Sequence, residues 1–177
     1  MALFTEGSIR ARAQREMQRG TNLYKSKGQV LKESVAAFKA TLEDLGYSVY
    51  VDWVDDAQLD RSKVNEATAE LLRERMNASK SLFYVTKENA ETSKWMPWEC
   101  GYFDGIKEKV AILPVKQYSF NDGYLGQEYL SLYPYCVKGN NTHGKERLWI
   151  HKDKEYYLAY EIWLETKRDS IKWKKIG

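Results

Sequence analysis

Two runs dominate the chain, Ser81-Leu82-Phe83-Tyr84-Val85-Thr86 and Lys109-Val110-Ala111-Ile112-Leu113-Pro114-Val115, each almost free of polar interruption. A strand with one wet face alternates apolar and polar residues, whereas a strand covered on both faces does not. Runs of this kind therefore mark central strands lying between layers of helix. The segment between them, about 94–107, has the length of a helix. Strand, helix, strand with short connections implies a right-handed crossover and a parallel pair.

The rest of the chain extends this alternation. Residues 8–19 read as a short polar helix ended by Gly20, and 21–26 as a weak first strand whose only sizeable apolar residues are Leu23 and Tyr24. From Val30 to Leu45 the apolar positions recur at helical spacing, with Gly46 as the stop. Ser48–Trp53 is rich in β-formers and is predicted as a second strand, followed by an acidic loop over 54–62. Helical spacing returns over 64–76. Beyond Val115 the pattern loosens: Asp122-Gly123 marks a turn, 128–133 one or two helical turns, and 139–144 a loop. Arg147–Ile150 reads as an edge strand and Tyr156–Leu164 as the last helix. The expectation is an α/β fold with a central, mainly parallel five-stranded sheet, in one domain over 21–177 that follows a helical extension over 1–20.

Composition narrows the function classes. With 43% hydrophobic and 30% charged residues in 177, the chain has enough apolar material for a core of its own. The two cysteines, Cys100 and Cys136, have no metal-ligand spacing, and His143 and His151 stand apart, so neither a zinc site nor a disulfide framework is expected. No stretch approaches the ~20 apolar residues of a membrane span, and 1–9 lacks a signal-peptide core, which points to a cytoplasmic protein. A net charge of +3 is too small to single out a nucleic-acid binder. Its local surplus sits at the ends, in Arg10, Arg12, Arg15 and Arg19 and in Lys167, Arg168, Lys172, Lys174 and Lys175. Both groups read as solvated terminal helices, with contact to acidic partners as the alternative.

Ligands of open parallel sheets bind beyond the carboxyl ends of the strands, which directs attention to the loops after them. The loop after the apolar run 81–86 leads into Ser93-Lys94-Trp95-Met96-Pro97-Trp98-Glu99, a Ser N-cap with Pro inside the first turn. Trp95 and Glu99 are four apart and share a helix face. A carboxylate near a helix N-terminus is held ionised, and beside an indole it suits binding of ribose hydroxyls and stabilisation of an oxocarbenium-like transition state. The competing interpretation makes Trp95 core and Glu99 an ordinary first-turn acid. Trp98 falls off that face and reads as packing; Tyr102 and Phe103 read as core, with ligand stacking as the alternative, and Cys100 as buried filler. Asp52, at the end of its strand, suits either a ribose or adenine contact or a loop cap.

Taken together, Leu45-Gly46-Tyr47-Ser48-Val49-Tyr50-Val51-Asp52-Trp53, the acidic loop behind it, and the W-x-x-x-E pattern Trp95–Glu99 preceding Gly101-Tyr102-Phe103-Asp104-Gly105 resemble a prokaryotic Toll/interleukin-1 receptor (TIR) domain. The resemblance covers about 21–115 well and the remainder loosely. It implies a flavodoxin-like three-layer fold and, in catalytic members, cleavage of the nicotinamide–ribose bond of NAD to ADP-ribose or to cyclic signalling nucleotides, as in Thoeris antiphage systems. NAD enters as substrate, and neither a metal nor a cofactor is implied. Glu99 matches the catalytic glutamate and Trp95 the tryptophan of the motif. Ser26 matches a serine beside the nicotinamide, and the loop 54–63 matches a segment that covers the cleft or meets a neighbouring subunit. The first strand departs from the family: Lys25 replaces an apolar residue, Lys27 stands at a histidine-like position, and Leu31 replaces an acid. Tyr24, Ser26, Lys27 and Asp52 complete the expected substrate side. The resemblance further implies self-association and an effector protein that senses the product. Two alternatives stay open, a non-catalytic TIR scaffold and a nucleoside deoxyribosyltransferase-like enzyme.

Overall fold

The computed structural model describes residues 27–55, 65–87, 95–115 and 128–177. Helix α1 runs from Lys27 to Asp44. It ends where Gly46 adopts φ +91°, a left-handed conformation that glycine takes without a side-chain clash, so the predicted stop falls where expected. A short helix α2 follows at Asp52–Asp55 and α3 at Glu66–Ala78. The amino end of α3 is capped by Asn65, whose Oδ1 accepts from the Thr68 amide at 2.8 Å. Strand β1 is Leu82–Lys87, helix α4 is Trp95–Lys107 and strand β2 is Val110–Val115. A 3-10 turn at Glu128–Leu132 leads to β3 (Tyr135–Asn140), β4 (Glu146–His151) and β5 (Tyr156–Ala159). Helix α5 is Tyr160–Glu165, followed by a 3-10 turn at Arg168–Ser170 and by β6, Lys174–Lys175.

Among the described residues the sheet has six strands in the order β1-β2-β3-β4-β5-β6. The α/β class is as expected from the sequence, and among the described residues the sheet is mixed, parallel at its start and antiparallel from β3 onward. Pairs β1–β2 and β2–β3 are parallel, and β3–β4, β4–β5 and β5–β6 are antiparallel. The expected first strand, 21–26, lies outside the described residues. The expected second strand forms no ladder among them. Asp55 accepts from the Val51 amide at 2.6 Å and donates its own amide to Val51 O at 2.8 Å, a local pairing that curls 52–55 into a helical turn. The strand at 147–150 is internal, because β5 and β6 continue the sheet beyond it. The expected helix from Tyr156 begins at Tyr160; the preceding four residues pair with β4.

Helices cover both faces, which explains the unbroken apolar runs of β1 and β2. On one face Ala37, Phe38 and Leu42 of α1, with Tyr160 and Trp163 of α5, pack on Phe83, Val85, Ala111, Leu113, Cys136, Leu148 and Ile150. On the other, Leu72 and Met76 of α3, with Trp95, Cys100 and Phe103 of α4, pack on Tyr84, Val110, Ile112, Tyr135 and Val137. Each strand sends alternate residues to opposite layers, so Ala111 and Leu113 face one core and Val110 and Ile112 the other. No helix among the described residues is long and apolar enough to cross a membrane.

Candidate functional site

The β1–α4–β2 unit orients the site. Because β1 and β2 are parallel, α4 must return the chain to the sheet's starting end, and it packs on both strands as it does so. Its first residue, Trp95, therefore lies near the carboxyl end of β1, the side on which open sheets bind ligands. Pro97 is third in the helix, where its missing N–H removes no intrahelical bond.

Glu99 is fifth in the helix, so no acid occupies the first turn and the helix dipole acts on Glu99 more weakly than the sequence suggested. Its radial position is more informative. Trp95, Glu99 and Phe103 form an i, i+4, i+8 row; Trp95 is 5% exposed and Phe103 0%. Glu99 stands between two core side chains yet is only half-buried. Trp95 itself belongs to the core, with Tyr84, Ile112 and Tyr135 in the same cluster. Trp95 is thus core, as the competing interpretation of the sequence had it, one helical turn before Glu99.

The outer side of α4 is also packed. Trp98 meets Trp95 edge-on, with centroids 5.5 Å apart and planes at 77°, and stacks on Tyr102 at 5.7 Å and 22°. Arg73 of α3 holds its guanidinium carbon 5.6 Å from the Trp98 ring centre, and Asn77 donates to the Tyr102 hydroxyl at 3.3 Å. Trp98 is thus a packing residue, as its register implied. The partner Arg73 was not singled out from sequence, since nothing local links α3 to α4. Toward the far end, Asp104 accepts from Tyr133 Oη at 3.3 Å and pairs with Arg168 at 3.5 Å. Cys100 is 1% exposed, and burial raises its thiol pKa although the neighbouring Tyr133 hydroxyl works against the rise. Burial is likewise the main cause that pushes the Tyr133 hydroxyl up.

The remaining expected site residues are less completely placed. Tyr24 and Ser26 lie outside the described residues. Lys27 is the first residue of α1 and Asp52 the first of α2; their side chains lie outside the description. The stem of the loop over 54–63 is anchored, with Lys39 Nζ bonding both oxygens of Asp55 at 2.9 Å and also Val49 O. Helices α1 and α4 cover opposite faces of the sheet. Groups at their amino ends therefore share a ligand only across the sheet's carboxyl edge.

A concavity of about 340 Å³ lies elsewhere, lined by Asp44, Tyr47, Asn141, Lys145, Arg147 and Glu161, among others. Tyr47 donates to Glu161 Oε1 at 2.8 Å, and Arg147 pairs with Oε2 at 2.9 Å. It sits at the end of α1, about 26 Å along the helix from Lys27, so it is separate from the sheet mouth.

Parallel strands joined by a crossover helix, with helices on both faces of the sheet, define the class of α/β domain. No family model matches the chain. Over 134 residues it is 56% identical to ThsB' of Bacillus cereus (strain MSX-D12), provisionally named a 3' cyclic ADP-D-ribose synthase, an alignment covering 74% of this chain and 68% of that protein. It is also 34% identical over 74 residues to TIR2 of Cytobacillus dafuensis, provisionally named a cyclic ADP-D-ribose synthase, covering 41% of this chain and 18% of the relative. The chain belongs to the prokaryotic TIR family of the Thoeris ThsB' type.

Proposed function

We propose that the protein cleaves NAD at the nicotinamide–ribose bond and converts the remainder into a cyclic ADP-ribose-type signal in antiphage defence. One observation carries this reading: Glu99, which matches the family's catalytic acid, stands half-buried between Trp95 and Phe103 on the helix that starts near the carboxyl end of β1. The names of both relatives support it.

In the reaction, the bond from ribose C1' to the pyridinium nitrogen breaks and its electron pair leaves with nicotinamide, which becomes neutral. Positive charge develops on C1' and the ring oxygen. Glu99 is the catalytic residue, its carboxylate stabilising that charge and holding the ribose hydroxyls. Trp95 supports it from beneath. Capture of C1' by a hydroxyl of the same molecule, with loss of a proton, closes a cyclic product; capture by water gives ADP-ribose. Ser26, Lys27, Tyr24 and Asp52 line the substrate side. The domain extends over 21–177 behind a helical extension over 1–20 and works in the cytoplasm as a self-associating protein whose product is sensed by a separate effector.

The test is to incubate concentrated protein with NAD and resolve the products by mass spectrometry. Nicotinamide together with a species of the mass of ADP-ribose less one water is expected. Intact NAD at all protein concentrations counts against the reading.

A further inference from the structure

We infer that Trp98 is a positioning residue for Glu99: its stack with Arg73 and Tyr102 fixes the rotation of α4 about its own axis and so aims the carboxylate. The inference rests on the role of Glu99 proposed above.

A helix lying on a sheet is held against lifting by its buried row, here Trp95, Cys100 and Phe103. Rolling about the axis is resisted by side chains that grip at the flanks. On α4 part of the outer surface offers no grip, since a Cβ added at Gly101 or Gly105 meets nothing within 4 Å. Two groups of flanking contacts stand out among the described residues. Asp104 joins Tyr133 and Arg168 near the carboxyl end. Around Glu99 the grip comes from Trp98, which is locked edge-on to Trp95, stacked on Tyr102 and covered by Arg73 of α3, while Asn77 of the same helix ties Tyr102.

Trp98 sits one residue, about 100° of helical turn, from Glu99. It thus converts contacts with α3 into the angle at which the acid leaves the helix. A roll of about 10°, acting at about 6 Å from the axis, moves a side-chain tip by about 1 Å. Displacements of about that size cost on the order of 100-fold in rate where a reacting geometry is held tightly. Binding of the rest of a dinucleotide is spread over many contacts and is far less sensitive. The signature is a loss in kcat with KM little changed.

The experiment compares wild type with Trp98→Ala, Trp98→Phe and Arg73→Met, recording NAD cleavage kinetics, thermal unfolding, and the ¹³C resonance of the Glu99 carboxyl, assigned by its loss in Glu99→Gln. Trp98→Ala is expected to lower kcat about tenfold or more with KM within about twofold and to shift the Glu99 resonance. Trp98→Phe, which keeps a ring in the stack, restores both. Arg73→Met gives a smaller change in the same direction without touching the core. A folded Trp98→Ala protein whose Glu99 resonance does not move overturns the inference, whatever its kcat. Should wild type release no nicotinamide, the functional reading falls and the resonance alone decides: movement in Trp98→Ala with return in Trp98→Phe upholds the positioning role, and an unmoved signal removes it. Should Trp98→Ala fail to fold, Arg73→Met against Trp98→Phe decides in the same way.

Discussion

Substituting Trp95 tests the packing on which the placement of Glu99 depends. The ring is 5% exposed and joins the cluster formed with Leu72, Tyr84, Phe103 and Ile112. Truncating a buried aromatic to Ala costs about 3–5 kcal/mol, from lost transfer energy and the cavity left behind. For a domain whose whole stability is about 5–15 kcal/mol this is a large fraction. At roughly 2–4 °C per kcal/mol for a chain of this size, the melting temperature of Trp95→Ala should fall by about 6–20 °C. Trp95→Phe retains a ring at the same place and should lose about 1 kcal/mol. The assay is urea unfolding followed by far-UV circular dichroism, which does not depend on indole fluorescence. A loss below about 1 kcal/mol in Trp95→Ala, the range of a surface substitution, would refute the reasoning. It would remove Trp95 from the core and with it the case that Glu99 occupies a buried row.

Two further outcomes follow from buried polar groups. Lys109 is 8% exposed, donates to Thr166 O at 2.6 Å and lies 5.2 Å from the centre of the Trp163 ring, and burial lowers its pKa. Between that lowered value and the ordinary lysine value near about 10.4, the unfolded chain binds more protons than the folded one, so stability rises with pH. Wild type should therefore gain stability relative to Lys109→Met across this alkaline window, read as urea midpoints; a relative loss contradicts it. Burial also raises the pKa of both thiols, Cys136 at 0% exposure and Cys100 at 1%. Neither should react with an aromatic disulfide reagent in the native protein, and both should react in denaturant. Rapid native labelling of either would contradict the packing.

The parts of the fold legible in sequence were those whose burial left a local pattern. The runs at 81–86 and 109–115 lie between two helical layers and so lost all alternation, and Gly46 marks the end of α1 by the conformation it adopts. Where tertiary pairing or a local bond decides, the sequence misleads. Ser48–Trp53 has strand-forming residues, but Asp55 caps Val51 and turns 52–55 into a helix. Tyr156–Ala159 fits a helical spacing, yet it completes the ladder beside Trp149, Ile150 and His151. Strand β3 was missed because Gly139 and Asn140 read as turn residues; the turn comes just after, where Asn141 Oδ1 accepts from the His143 and Lys145 amides. The same division holds at the site. The four-residue spacing of Trp95 and Glu99 is written in the chain, whereas the half-burial of Glu99 depends on the sheet beneath α4. The grip of Arg73 on Trp98 depends on α3 lying alongside, a contact that no local spacing encodes.

The central claim is that the Glu99 carboxylate stabilises positive charge during cleavage of NAD. The most direct measurement is the rate of nicotinamide release by wild type and by Glu99→Gln, which keeps the shape of the side chain and removes its charge. Losing a charge that faces the transition state should slow release by about 100-fold or more, with the melting temperature within about 2 °C of wild type, as for a substitution that leaves the core untouched. A folded Glu99→Gln protein releasing nicotinamide at the wild-type rate would contradict the account.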